Sequence, residues 1–554
     1  MRGREVFMQN LVAHGVRHIF GNPGTTENPL LDSLVDYPSI DYVVHLHEGI
    51  AVGAAGYYAR ATGLTGVVSL HAAPGLGNGI GMIYNALRAN APMVVTAGQQ
   101  DTRMLRREPL LAHDLAAMAA PVTKWSTQVQ CADEMDEVMR RAFKIANDPP
   151  CGPVFVSLPV DVMEQQTDKG PIAPGRLYRE TAPDARALAD ACAMIKAAHT
   201  PVIVVGDEVG RTGAITDLVR IAERIGAPVW FESLRGHVSF PSSHPHARAG
   251  VPVDADKIRQ TFANADLVLL VGGAFFEELW FAPSSPFPQG ARVVQIESSA
   301  QPLAYKHAVD LGIVAGMGAA LRALDDAIVA EVDDAWRAAA KQRCAQLAAQ
   351  KAQDKTAYQA RLEKAWARVP TSISRAMAEL RKATPVNALI VEEAITAKID
   401  FEAAFQLDAP DQYLGGRGGG IGQALAGAIG ASIGHPGRPI LCVSGDGSAM
   451  YSITALWTAA HHNLPIVFVI LANREYRVLK HNLDIYRRRF NTPSSKPYPQ
   501  MDLARPALGF VEMAAGAGVP GVRVSQPDEI AGAIEQAFAA GAPRLVEIAI
   551  ENMR

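Results

Sequence analysis

Cysteine is scarce: 5 of 554 residues, at positions 131, 151, 192, 344 and 442, with no C-x-x-C pair. An odd, scattered set argues against a disulfide framework and fits a reducing compartment. No run of 18 or more apolar residues occurs, so no transmembrane helix is expected. The opening MRGREVFMQN lacks the apolar stretch of a secretory signal, and the expected location is cytoplasmic. A basic excess is also missing: 52 Lys and Arg stand against 56 Asp and Glu, a net charge of −4. No nucleic-acid or membrane partner is expected from that balance. Charge of either sign amounts to 19% of the chain, below the quarter or so of an average globular protein. In its place are 49% hydrophobic residues and 47 glycines. A chain this apolar can bury enough surface to offset its ordering entropy, which excludes disorder. The low charge suits either large domain cores or a large subunit interface.

At about 100–200 residues per domain, the length accommodates three or four domains. Short apolar runs alternate with helical stretches, the signal of parallel α/β layers. The expected strands fall in three groups: Tyr42–Leu46, Gly66–Leu70, Met93–Ala97 and Val154–Leu158; then Pro201–Val205, Pro228–Phe231, Leu267–Val271 and Arg292–Ile296; then Ile390–Val391, Ile440–Val443, Ile466–Leu471 and Arg544–Ile548. Asp161–Ala182 reads as a linker. Val332–Arg381 shifts to Ala, Gln, Lys, Arg and Glu and reads as a solvated helix or helical linker. The expected fold is therefore three doubly wound α/β domains with parallel sheets, at 1–170, 186–345 and 371–554.

Chemistry is concentrated between Pro439 and Lys480. A buried strand runs into Gly445-Asp446-Gly447-Ser448, and a second strand ends in Ala472-Asn473-Arg474-Glu475. Glycines at a strand-to-helix turn let backbone approach a phosphate, which the helix N-terminus favours. Asp446 and Asn473 lie at the ends of consecutive strands, whose C-termini face one crevice in a parallel sheet. One carboxylate and one amide oxygen suit Mg²⁺, which takes its remaining ligands from phosphate and water. By itself GDG also reads as a tight turn between strands; the paired Asn473 favours the metal.

The segment GDGSAMYSITALWTAAHHNLPIVFVILANREY resembles the diphosphate-and-magnesium motif of thiamine-diphosphate-dependent enzymes. FGNPGTTENPLLDSL, VVHLHEGIAVGAAGYYAR, VVSLHAAPGLGNGIG and PMVVTAGQQDTR resemble the benzoylformate decarboxylase group within that superfamily, and the likeness spans essentially the whole chain. It implies a pyrimidine-binding, a central and a diphosphate-binding domain, in that order, with thiamine diphosphate and Mg²⁺ as cofactors. It makes Glu48 the carboxyl that bonds the aminopyrimidine ring and promotes its basic tautomer, His71 a proton carrier near the substrate, and Thr25 a hydroxyl on the substrate carboxylate. Thr396, Gly419, Ile421, Gly445, Asp446, Gly447, Ser448, Asn473 and Tyr476 become cofactor-binding, with Gly419 offering its carbonyl and Ile421 a wedge beneath the bent cofactor. The metal set is Asp446, Asn473 and Glu475. The substrate pocket comprises Thr25, His71, Leu110, Leu111, Gly415, Val478 and Asn482, and Asn78 and Gln100 lie in turns near the cofactor.

Departures from that pattern are local. The family's second histidine, in the central domain, is absent; Glu277 or Glu278 falls near its place. Two aromatic pocket positions become Gly415 and Asn482, which enlarges the expected pocket and adds polarity. Arg417, Arg474 and Arg477 lie near its mouth, either as surface charge or to bind a second anionic group. The central segments Gly206-Asp207-Glu208 and Gly272-Gly273 are too weak a signal for a flavin, and none is expected. The implied activity is decarboxylation of a 2-oxo acid through an enamine intermediate. The alternative is a carboligase or carbon–carbon lyase resembling acetolactate synthase or 2-hydroxyacyl-CoA lyase. The resemblance further implies a homotetramer, a dimer of dimers with active sites between subunits.

Overall fold

The inner strands are runs of β-branched and aliphatic residues buried on both faces, as in parallel sheets covered by helices. The computed structural model describes residues 1–552, two short of the end expected for the third domain. The strands are β1 (His18–Gly21), β2 (Asp41–Val44), β3 (Gly66–Leu70), β4 (Met93–Gln99), β5 (Ser126–Gln128) and β6 (Pro153–Pro159); β7 (Pro201–Val205), β8 (Val229–Phe231), β9 (Ala247–Gly250), β10 (Leu267–Val271), β11 (Arg292–Glu297) and β12 (Leu311–Val314); and β13 (Leu389–Glu393), β14 (Tyr413–Gly415), β15 (Ile440–Gly445), β16 (Ile466–Ala472), β17 (Gly521–Val524) and β18 (Arg544–Ala549). They form three six-stranded parallel sheets, as the alternating pattern implied. The first runs β2-β1-β3-β4-β6-β5 and the second β12-β11-β10-β7-β8-β9. In the third, β13-β15-β16-β18-β17 lie side by side. Strand order reverses between β1 and β3, between β7 and β10, and between β13 and β15. In open α/β sheets such reversals open the crevices that take ligands.

By mutual packing the chain divides into two compact units. One comprises Met1–Arg176, Ala365–Ala404 and Gly416–Arg554; the other comprises Leu177–Lys364 and Phe405–Gly415. The first unit therefore contains the first sheet and most of the third, and the second unit contains the middle sheet. Within the first unit, helix α1 (Glu48–Thr62) is buried from Glu48 to Arg60. It packs on a second apolar helix, Gln423–Gly434, at backbone distance. A Cβ on Gly430 would overlap the carbonyl oxygen of Ala54, and one on Gly53 would lie 2.8 Å from the Ala426 methyl. Small residues on both helices are what permit that approach. Val6, Phe7, Leu11, Met135, Met139 and Phe143 pack with Ile19, Val67, Val94, Val154 and Val156 of the first sheet. Val202, Val204, Val268, Leu270 and Val293 form the corresponding layer of the second unit with Ile258, Phe262 and Phe287.

The expected solvated stretch Val332–Arg381 divides in two. Asp334–Ala365 is a 32-residue helix, exposed along most of its length. Ile373–Ala383 is a separate helix that buries Ile373, Ala376, Met377 and Leu380. Its apolar positions recur at helical spacing, which the charged composition of the longer window had masked.

Candidate active site

The first sheet's reversal assembles the expected N-terminal residues. Glu48 opens α1 just beyond β2 and is 6% exposed. Its Oε1 accepts from Asn22 Nδ2 at 3.2 Å, and its Oε2 from Asn78 Nδ2 at 3.0 Å. Asn22 follows β1, and Asn78 sits on helix α2 (Ala72–Arg88), which leaves β3 through His71. A Cβ on Gly75 would lie 3.1 Å from Glu48 Oε1 and 3.3 Å from the His71 Cβ, so that glycine separates the two side chains. Gly24 likewise has no room for a Cβ against the His71 ring.

His71 has a partner that the sequence did not reveal. Its Nδ1 lies 2.9 Å from Glu27 Oε2. Glu27 is 3% exposed, and its Oε1 accepts from the Thr26 hydroxyl at 2.8 Å and the Gly98 amide at 2.9 Å. Burial pushes the Glu27 carboxyl above its ordinary range, while bonds from Thr26, His71 and Gly98 pull it back. The hydroxyl near the imidazole is that of buried Thr26, 3.3 Å from Nδ1; Thr25 is exposed. A Thr-Thr-Glu run after a glycine turn is a faint signal, because a lone carboxylate does not show in sequence which histidine it will meet. A buried carboxyl on Nδ1 fixes the ring's orientation and directs Nε2 away, the arrangement a proton carrier needs.

The third sheet's reversal assembles the C-terminal residues. Gly445 pairs with Leu471 across β15 and β16, so Asp446 and Asn473 leave adjacent strands at one sheet edge. Asp446 Oδ1 accepts from Gly447 N at 2.8 Å and Oδ2 from Arg474 N at 2.6 Å, while Asn473 Oδ1 accepts from Glu475 N at 3.0 Å. Burial raises the Asp446 carboxyl to about 6, with the Glu475 charge adding to the rise. A bound divalent cation would reverse that. The Glu475 carboxylate is engaged by the Lys480 ammonium. The described residues contain no group of three or more His, Cys, Asp or Glu poised for a metal. One carboxylate with one amide fits the sparse protein ligation of Mg²⁺ beside a diphosphate. Thr396 is half-buried just beyond β13 and Ser448 is buried in the helical turn after Gly445. A Cβ on Gly447 would lie 2.6 Å from the Tyr476 ring, which explains the glycine. Gly419, with φ of 85°, and half-buried Ile421 lie just before the helix Gln423–Gly434.

The remaining candidates are more dispersed. Leu110 is 82% exposed, and Gln100 Nε2 holds its carbonyl at 2.8 Å. Leu111, Val478 and Asn482 are half-buried. Arg417 is buried, its N–H and C=O both bonded to the Gln423 amide, whereas Arg474 is exposed and Arg477 Nη1 donates to the Glu551 carbonyl at 3.2 Å. In the second unit, the space beside Gly415 is filled by the Tyr413 hydroxyl and, 2.6 Å from a Cβ placed there, the Arg235 carbonyl. Glu277 lies 3.8 Å from the Lys306 ammonium and Glu278 3.2 Å from His307. At the reversal between β7 and β10, the Glu232 carboxylate accepts from Asp207 N at 2.6 Å and Ala274 N at 3.1 Å.

Three family models match: the thiamine pyrophosphate enzyme N-terminal TPP-binding domain at residues 1–119, central domain at 188–324 and C-terminal TPP-binding domain at 396–548. Benzoylformate decarboxylase of Pseudomonas aeruginosa is 31% identical, over 98% of this chain and 97% of its own. A putative acetolactate synthase large subunit of Mycobacterium tuberculosis is 29% identical over the whole of both chains. Among solved structures, a thiamine diphosphate-dependent 4-hydroxybenzoylformate decarboxylase of Rhodococcus jostii superposes with a TM-score of 0.87 over both full chains, at 28% identity.

Proposed function

The chain belongs to the thiamine pyrophosphate enzyme family, and on that premise we propose that it is a thiamine diphosphate- and Mg²⁺-dependent lyase that decarboxylates a 2-oxo acid. The cofactor would supply a nucleophilic carbon for the substrate carbonyl and an electron sink for the pair left behind when CO₂ departs. Glu48, held by two amide donors, shares a proton with the cofactor's pyrimidine ring. Asp446, Asn473 and the Glu475 carbonyl hold the metal, and Thr396, Gly445, Gly447, Ser448 and Tyr476 surround the diphosphate. Gly419 and Ile421 seat the ring. Thr25, Leu110, Leu111, Val478 and Asn482 line the path of the substrate.

The observation that carries decarboxylation is the His71–Glu27 pair beside Glu48. A histidine held by a buried carboxyl can deliver the proton that replaces the departing carboxylate. Carboligation is the second reading. It is favoured by the lack of the family's second histidine in residues 272–279, where Glu277 pairs with Lys306 and Glu278 with His307. As the family likeness implies, the complete site is placed between subunits of a homotetramer, the Glu48 cluster of one subunit facing the Asp446 cluster of another, in a protein of cytoplasmic location.

The test is a product assay with a panel of 2-oxo acids, with and without an acceptor aldehyde. Free aldehyde supports the first reading. Condensed product without aldehyde release supports the second, and no conversion of any 2-oxo acid contradicts both.

A further inference from the structure

The glycine-rich loop 416–422 is more firmly built than its composition suggests. Gly418, Gly419 and Gly422 have φ of 82°, 85° and 93°, the left-handed region that side chains other than glycine's rarely adopt. A loop so rich in glycine should be mobile, yet side chains from two other elements fasten it. Asn85, on α2 and 4% exposed, makes a reciprocal pair with the backbone N–H and C=O of one residue of the loop. Its Nδ2 donates to Gly420 O at 3.2 Å, and its Oδ1 accepts from Gly420 N at 3.1 Å. A Cβ on Gly418 or on Gly420 would lie 2.7 Å from that same carboxamide. At the loop's far end, buried Glu393, the last residue of β13, accepts from Gly422 N at 2.8 Å with Oε1 and from Ala424 N at 3.0 Å with Oε2. These are among the orphan N–H groups that start the helix Gln423–Gly434, whose own N-cap offers no side chain. Gln423 adds a bond from Nε2 to Gly420 O at 2.6 Å.

Gly420 and Gly422 are thus fixed, and Gly419 and Ile421 are the residues beside and between them. Nothing lies within 4 Å of a Cβ position on Gly419, and Ile421 is half-buried. Resting on the function proposed above, in which Gly419 and Ile421 seat the cofactor ring, we infer that Asn85 and Glu393 are positioning residues. They hold those two groups in place for the thiamine ring without touching the cofactor. Asn85 is also seven residues beyond Asn78, one of the two amide donors to Glu48, so one helix carries an amide toward Glu48 and another toward the loop.

The test separates the ring from the diphosphate. Binding of thiamine diphosphate and of inorganic pyrophosphate, each with Mg²⁺, is measured by calorimetry on the wild-type protein and on Asn85→Asp and Glu393→Gln. Asn85→Asp keeps the size and the acceptor but turns a donor into a second acceptor against Gly420 O. The expected result, in at least one well-folded variant, is thiamine diphosphate affinity lower by about tenfold or more, as loss of one or two buried hydrogen bonds implies, with pyrophosphate affinity within twofold of wild type. Parallel loss of both affinities would mean a merely structural role and overturn the inference, as would no loss of either. A wild-type protein that does not bind thiamine diphosphate would instead refute the function on which it rests.

Discussion

Replacing Glu27 by Gln changes one atom of the carboxyl that holds His71. The retained Oε1 still accepts from the Thr26 hydroxyl and the Gly98 amide, at 2.8 and 2.9 Å in the parent. The other position, 2.9 Å from His71 Nδ1, becomes an amide that donates where a carboxyl could accept. The ring loses a charge-assisted bond, a contribution of about 1.5–3 kcal/mol. At 1.36 kcal/mol per tenfold, kcat/KM for decarboxylation should fall about 10- to 150-fold. Thiamine diphosphate binding should be unchanged, because Glu48 and its amide donors are untouched. If His71 delivers the final proton, the variant should also divert more of its turnover to condensed product when an acceptor aldehyde is supplied. Steady-state kinetics with chromatography of both products reads each effect. A folded variant with wild-type kcat/KM and an unchanged product ratio would refute the assignment of His71 and its partner.

Three further outcomes follow from the geometry. Glu48→Gln should lower turnover by at least about 10³-fold while still binding the cofactor, since a neutral amide cannot share the proton; calorimetry and turnover on one preparation check it. Gly430→Ala should destabilise the first unit by about 1–3 kcal/mol or more through overpacking, because the new methyl overlaps the Ala54 carbonyl; a lowered urea midpoint measures it. Burial pushes the Glu297 carboxyl up to about 8, with the Gln295 bond opposing and the Glu208 and Glu232 charges adding. The folded state therefore keeps a proton that the unfolded chain releases near its ordinary value, so this group's contribution to stability falls as pH rises from about 4.5 to 8 and is level above. Glu297→Gln should flatten that decline in urea midpoints measured at pH 5, 7 and 9, and an unaltered slope would contradict the burial argument.

The parts legible in the sequence share a physical property. Central strands such as β10 and β16 are unbroken apolar runs, and the ends of β15 and β16 place Asp446 and Asn473 directly. Edge and short strands escaped: β5, β12 and β17 have mixed or half-exposed positions, and pairing rather than composition makes them strands. β1 escaped as well, being four residues long with a histidine at its start. Motif-bearing residues could be numbered because glycine and carboxylate spacing is local. Glu27, Asn85 and Glu393 could not be assigned their partners, since each acts on a residue 44 or 335 positions away, or 29 in the case of Gly422. The extra room expected at Gly415 also depended on such contacts, and Tyr413 with Arg235 occupies it.

The most direct test of the central claim is stoichiometric. Purified protein with thiamine diphosphate and Mg²⁺ is incubated with each 2-oxo acid that it consumes, and CO₂ and aldehyde are quantified together. One free aldehyde per CO₂ is the result expected of a decarboxylase whose His71 completes each turnover. CO₂ release with no free aldehyde, all of the carbon appearing as a condensed hydroxyketone or hydroxy acid, would contradict it.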